Sequence, residues 1–299
     1  MKEIDDLIAA FDDWRGEPLA LATLVRAEGS SYRRPGARML IGPEGKTTGI
    51  LSAGCLEEEV AEHGPQVIAR GKPVLLHFDT RRRFGCHGAI DVLVETLQPG
   101  LIKQIRAARN ARRCCTLETV FANSNSLGTR ALSIEIAARA GSFVQTIHPR
   151  WRLLLVGRGP ENAALKNFAL ILAWEVIEIE SADFLPNELD EWTAVVVKTH
   201  HYGRDYAALA RLLPMELPYL ALLGPRRRRD QMLHVLHEEG VSLRSEFFAP
   251  AGLDLGSESP EEIALAIVAE ILAAFSRASG QPLRNRKLPI HHPLDLAAV

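Results

Sequence analysis

The sequence predicts an α/β protein in two parts: a small N-terminal α+β domain, then a parallel α/β domain of Rossmann-like type. Three observations carry that expectation. At 299 residues the chain exceeds one typical domain. From Trp151 onward, short apolar runs alternate with helical patterns, the mark of βαβ units and a parallel sheet. Before that point the apolar runs are joined by glycine- and proline-bearing turns, which favour hairpins. The expected boundaries are 1–98 for the N-terminal domain, 99–150 for a connecting segment and 151–299 for the Rossmann-like domain.

In order along the chain, Ile4, Leu7, Ile8 and Phe11 fall at helical spacing and predict a first helix. Leu19 to Arg26 reads as a strand. Ala37 to Ile41 and Thr47 to Leu51, separated by Pro43-Glu44-Gly45, read as a hairpin. Glu57 to Ala69 predicts one helix, stopped near Gly71, and strands follow at Pro73 to Phe78 and Ile90 to Thr96. Leu101 to Cys115 predicts a basic helix and Thr116 to Phe143 two or three weak strands, with His148-Pro149 as the boundary. Beyond it come strands at Arg152 to Val156, Glu175 to Ile179, Ala194 to Lys198 and Tyr219 to Leu223. Helices are expected at Pro160 to Ala173, Tyr206 to Leu213 and Pro225 to Glu239. The last helix carries a clear start: Ser259 as N-cap, Pro260 at the first helical position and Glu262 closing a capping box. Between Ile263 and Phe275 it is apolar nearly all round, which predicts burial between layers, domains or the subunits of a homodimer.

Bulk properties narrow the function. A formal net charge of −2 gives no global attraction to nucleic acid or to an anionic membrane, so anion recognition must be local, as at Arg81 to Arg83 and Arg226 to Arg229. The acidic N-terminus lacks the basic start of a signal peptide, and the most apolar helical run, Ala163 to Ile177, is broken by Lys166, Asn167 and Glu175. A cytoplasmic protein with reduced thiols is expected.

Two of the four cysteines stand beside glycines, in Ser52-Ala53-Gly54-Cys55-Leu56-Glu57 and in Phe84-Gly85-Cys86-His87-Gly88. Glycine permits close approach and positive φ, which suits a thiol that must meet a ligand beside exposed backbone N–H groups. Gly29-Ser30-Ser31 with Arg33, Arg34 and Arg38 combines hydroxyls and guanidinium groups suited to an oxyanion, and equally describes a charged hairpin loop. Cys114-Cys115 reads as a pair with one thiol buried.

In the C-terminal half, Gly157-Arg158-Gly159 follows an apolar strand and opens a helix, where backbone N–H groups accept phosphate. Glu180 lies roughly twenty residues on, the usual place for a ribose-binding carboxylate. The pattern permits NAD(P) or another nucleotide; it also serves a scaffold whose glycines only let helix and strand pack. Thr199-His200-His201 ends a strand, with one histidine expected to face a ligand and the other the surface. Gly224-Pro225 with Arg226 and the next three arginines opens a helix against its dipole, which favours an anionic ligand.

Taken together these stretches resemble the xanthine dehydrogenase accessory protein family of the XdhC/CoxI type. The resemblance rests on Glu28 to Ser31, Arg34 to Met39, Gly49 to Glu57, Phe84 to Gly88 with Ile90-Asp91-Val92, Thr199-His200, Leu222 to Gly224, and Ala249 to Gly256 leading into Ser259 to Ala264. The chain departs from the family pattern at Ala53, His87, His201 and Pro225. What the resemblance implies is an accessory protein without turnover of its own. It would bind the molybdopterin form of the molybdenum cofactor, protect it during sulfuration, and deliver it to a xanthine-dehydrogenase-type molybdenum hydroxylase, with a cysteine desulfurase as a further partner. By the same analogy Cys55, Cys86, Gly29, Ser30, Ser31, Gly54 and Glu57 would line the pocket. An NAD(P)-dependent oxidoreductase is the alternative that Gly157, Gly159 and Glu180 leave open.

Overall fold

The computed structural model describes residues 2–29, 31–79, 88–122, 126–132 and 137–287. It divides into two compact units, Met1–Pro149 and Arg150–Val299.

In the first unit, helix α1 (Lys2–Asp13) leads into β1 (Ala20–Gly29), β2 (Arg38–Ile41) and β3 (Thr47–Gly49). Two short helices, α2 (Glu57–Ala61) and α3 (Gly64–Arg70), precede β4 (Val74–Asp79) and β5 (Gly88–Thr96). The expected single helix is thus split. Pro65 opens the second turn system, and a side chain at Gly64 would lie 2.8 Å from Ile41 Cγ2, so the chain passes close to β2 where it breaks. The strands form an antiparallel sheet in the order β3-β2-β1-β5-β4. Both faces of this sheet are covered. Ala20, Ala22, Leu24, Met39, Ile41, Val92 and Val94 pack on Val60 and Val67 of α2 and α3. Leu21 and Leu40 point the other way, into a second core with Leu7 of α1. The period-2 alternation places each set, and double burial explains why β1 and β5 read as almost continuous apolar runs.

The segment read from sequence as a connection, 99–150, falls up to Pro149 within the first unit and completes that second core. Helix α4 (Pro99–Asn110) contributes Leu101, Ile102 and Ile105, and β6 (Cys115–Val120) contributes Leu117. With β7 (Gly128–Leu132) and β8 (Ser142–Ile147), β6 forms a three-stranded antiparallel sheet in the order β7-β6-β8.

The second unit alternates β9 (Arg152–Val156), α5 (Asn162–Ile171), β10 (Glu175–Ile179), β11 (Thr193–Val197), α6 (Tyr202–Leu212), β12 (Tyr219–Leu222), α7 (Arg226–Glu238), β13 (Phe247–Phe248) and α8 (Pro260–Phe275). All pairs are parallel, in the order β10-β9-β11-β12-β13. Leu165 of α5 and Ile267 of α8 cover one face of the sheet, and Leu209 of α6 and Met232 of α7 the other. The chain therefore winds outward from β9 over one face and from β11 over the opposite face. The topological switch point, where open α/β sheets place ligands, falls between the carboxyl ends of β9 and β11. The capping box forms as expected: Ser259 Oγ accepts from Glu262 N, and the Glu262 carboxylate accepts from Ser259 N. Helix α8 buries Ala264, Ile267, Val268 and Ile271 within this unit, while Leu265 and Leu272 remain exposed. No helix among the described residues is long and apolar enough to cross a membrane.

Candidate functional site

The first unit gathers its glycine-bearing loops at one end of the five-stranded sheet. Gly29 pairs with Gly88, Asp79 with Ala89, and Met39 with Gly49. The carboxyl ends of β1, β3 and β4 and the amino ends of β2 and β5 therefore all lie on this side. The loop that follows β3 carries Gly54 and Cys55, and the strand ends Asp79 and Gly88 flank the second cysteine motif. Cys86 and His87, with Arg81 to Arg83, lie outside the described residues, as does Ser30.

Glu57 is the organiser of the Cys55 loop. Its Oε1 accepts from Leu51 N at 3.0 Å and Ser52 N at 2.8 Å; its Oε2 accepts from Ser52 Oγ at 2.8 Å and Leu56 N at 3.1 Å. Burial pushes this carboxyl up, but the Ser52 backbone and hydroxyl and the Leu56 backbone outweigh it, holding Glu57 below the usual range. The carboxylate thus faces its own loop. Cys55 N donates to Ser52 Oγ at 3.1 Å, and the free Cys55 thiol is exposed. Gly54 has φ +97° with open space where a side chain would stand, so the turn that presents Cys55 favours glycine by conformation alone. At the end of β1, Ser31 Oγ donates to Arg33 O at 2.8 Å, and Arg33 pairs with Glu3.

Arg38 does not share that surface. It is 3% exposed, and its Nη1 donates to Gly36 O at 3.0 Å and Gln145 Oε1 at 2.5 Å beneath β8. Burial lowers its pKa to about 10 against the opposing pull of Glu95. The guanidinium expected beside the Gly29 loop is a core group that ties β2 to β8.

In the second unit the switch-point residues come together. Gly157 has φ +110°, and a side chain there would lie 2.6 Å from Thr199 Cα, so this glycine lets the β9 and β11 ends touch. Arg158, Gly159, Glu178, Ile179 and Glu180 line an open cavity of about 490 Å³, within which Arg158 pairs with Glu180. Thr199 N and Oγ1 both donate to Asp205 Oδ1, at 2.9 and 2.6 Å, and Arg228 pairs with the other oxygen of this fully buried carboxylate. His200 adopts φ +57°, with its Nε2 4.0 Å from Glu161 Oε1, while His201 is exposed at the start of α6. Both histidines are exposed.

The arginine run at α7 divides. Arg228 serves Asp205, and Arg229 donates to Ala249 O and Asp230, so both are held within the unit. Arg226 and Arg227, following Gly224 at the carboxyl end of β12, are exposed. What sequence reading missed is the pair beneath the glycine loop: Lys198 Nζ donates to Glu161 Oε1 at 2.7 Å, with both side chains buried. Burial pushes the Glu161 carboxyl up, but the hydrogen bond and charge of Lys198 together with its own backbone N–H outweigh it and hold it below the usual carboxylate range. The only sequence signal was a lysine closing an otherwise apolar strand. Among the described residues no three His, Cys, Asp or Glu side chains converge to hold a metal ion.

Comparison with known proteins yields matches in both units. Residues 14–79 match the model of the XdhC and CoxI family, and residues 153–271 that of the XdhC Rossmann domain. A Bacillus subtilis protein, named as a probable xanthine dehydrogenase subunit, is 29% identical over 88% of this chain and 95% of its own length. The molybdenum cofactor insertion chaperone PaoD of Escherichia coli is 24% identical, over 86% of this chain and 83% of its own. A crystal structure from Bacillus halodurans, described as a xanthine dehydrogenase, shares the fold at TM-score 0.77 and 24% identity over 99% of both chains. With the glycine-cysteine loop inside one match and the switch-point crevice inside the other, the chain belongs to the XdhC and CoxI family of xanthine dehydrogenase accessory proteins.

Proposed function

We propose that this protein is an accessory factor for molybdenum enzymes. It holds the molybdopterin form of the molybdenum cofactor, shields it while a terminal sulfur is added, and passes it to a hydroxylase of the xanthine dehydrogenase type. The observation that carries this reading is the exposed Cys55 thiol, presented by a positive-φ glycine on a loop that Glu57 fixes through four hydrogen bonds. Thiolate is a soft donor suited to a molybdenum–dithiolene centre, and a cofactor that already carries its metal needs no multidentate protein chelate. The residues present fit such a group: a soft ligand on a preorganised loop, with open space at Gly54 beside it. When bound, the cofactor would supply the metal and its sulfur chemistry. The protein's own part is to hold it, through Cys55 and Cys86, and to keep it from water. The names of the two curated relatives, one a molybdenum cofactor insertion chaperone and the other a probable subunit of xanthine dehydrogenase, support the same reading.

The test is retention. Produced alongside active molybdopterin synthesis and purified without oxygen, the protein is expected to carry molybdenum and pterin, and Cys55→Ala and Cys86→Ala each to lower both contents. Absence of cofactor from the native protein overturns the reading, and unchanged retention in both variants removes the two thiols from the proposed site.

A further inference from the structure

The glycine loop of the second unit stands where an open α/β sheet receives a phosphate, between the end of β9 and the start of α5. Three observations show that an anion already sits there. Glu161 is the N-cap of α5, so its negative charge meets the positive end of the helix dipole. Its carboxylate lies directly over Gly159: a side chain at that glycine would come within 2.5 Å of Glu161 Oε1. Lys198, wholly buried at the carboxyl end of β11, supplies the counter-charge at 2.7 Å, with His200 Nε2 at 4.0 Å toward the surface. In a nucleotide-binding loop the second glycine makes room for pyrophosphate. Here the same glycine makes room for a side chain of the protein itself.

We infer that Glu161 is an internal stand-in for phosphate, which closes the Gly157 to Gly159 loop to phosphate-bearing ligands. A phosphate approaching the loop meets an occupied position, a like charge, and a lysine whose ammonium is already paired. Asn162 holds the arrangement from the next turn: its Nδ2 donates to Glu178 Oε1 at 2.6 Å and to Gly157 O at 3.3 Å, which binds the loop to the neighbouring strand. The crevice therefore does not take a dinucleotide in the mode that seats pyrophosphate on the helix N-terminus. Glu161 is the residue that sets this specificity, and Lys198 is the latent phosphate-binding cation. The inference is independent of where the molybdenum cofactor binds in the first unit.

The experiment is titration of the full chain, by calorimetry, with inorganic pyrophosphate, ADP and NAD. The wild-type protein is expected to show no saturable binding in the millimolar range. Glu161→Gln keeps the shape, removes the charge and frees Lys198, and is expected to bind pyrophosphate and ADP at least about tenfold more tightly than wild type. In the double variant Glu161→Gln, Lys198→Gln that gain is expected to vanish. Saturable wild-type binding of pyrophosphate or ADP overturns the inference, as does a folded Glu161→Gln variant that gains none. Should Glu161→Gln fail to fold with its lysine unpaired, the wild-type titration decides alone, with binding overturning and its absence upholding the assignment. Molybdenum retention measured on the same wild-type sample separates this outcome from that of the proposed cofactor role.

Discussion

Glu57 shows how one side chain converts a turn-rich segment into a fixed platform. Four donors converge on its two oxygens, three of them backbone N–H groups that the bent loop would otherwise leave unpaired. Replacing it by Gln puts an amide N–H₂ where an acceptor is required; we expect Glu57→Gln to lower stability by about 2–3 kcal/mol in denaturant unfolding. The sign of the pH effect follows from its depressed pKa. Glu57 contributes stability that is present in full above the unfolded carboxyl value of 4.5 and is lost as pH falls through the lower folded value. The acid limb of the wild-type unfolding curve should therefore flatten in Glu57→Gln, and an unchanged limb would show that the carboxylate is not what holds the loop. The sequence placed Glu57 beside the cysteine but did not show the loop hydrogen bonds it makes. Its real neighbours lie within six residues, so geometry alone, and no long-range information, was missing.

At the scale of elements, the alternating pattern beyond Trp151 was legible because the central strands β9, β11 and β12 are buried on both faces and bounded by turn residues. The capping box at Ser259 was legible because it is wholly local. Three features were not. The break between α2 and α3 follows from a close approach to Ile41, a contact made across the sheet and invisible in a helical pattern that runs smoothly past Gly64. Strand β13, two residues long, adds to β12 by pairing Phe247 with Leu220 and carries too little periodicity to register. The Glu161 and Lys198 pair joins groups 37 positions apart that meet only because β9 and β11 are neighbours. Gly157 belongs to the same junction, since it combines positive φ with a backbone approach to Thr199. Gly157→Ala is expected to cost at least about 2 kcal/mol in thermal or denaturant unfolding. A near-neutral result would mean that the β9 and β11 ends are free to part.

For the molecule as a whole, each unit owns its core. The first encloses both faces of its sheet with α1 to α4 and β6 to β8, and the second does so with α5 to α8. Residues 1–149 and 150–299, produced separately, are each expected to give a cooperative unfolding transition with near-ultraviolet dichroism, and 1–98 alone is not. Folding of the shorter fragment would restore the segment beyond residue 98 to the status of a linker. The helix and weak strands of that segment were legible in the sequence, but their place in the first unit's core was not, because their apolar residues find partners on α1 and β1 rather than near at hand.

The pairing of Gly29 with Gly88 has a temporal meaning as well. Because β5 supplies the partner for the whole length of β1, the end of the sheet that presents Cys55 cannot close while the growing chain still lacks residues 88–96. On a ribosome, where the N-terminal part emerges first, Cys55 is synthesised before the strand that completes this sheet. The second cysteine motif, ending on Gly88 at the first residue of β5, is made just before the strand that permits that closure. The order of synthesis thus keeps this end of the unit unassembled until both thiols are in the chain.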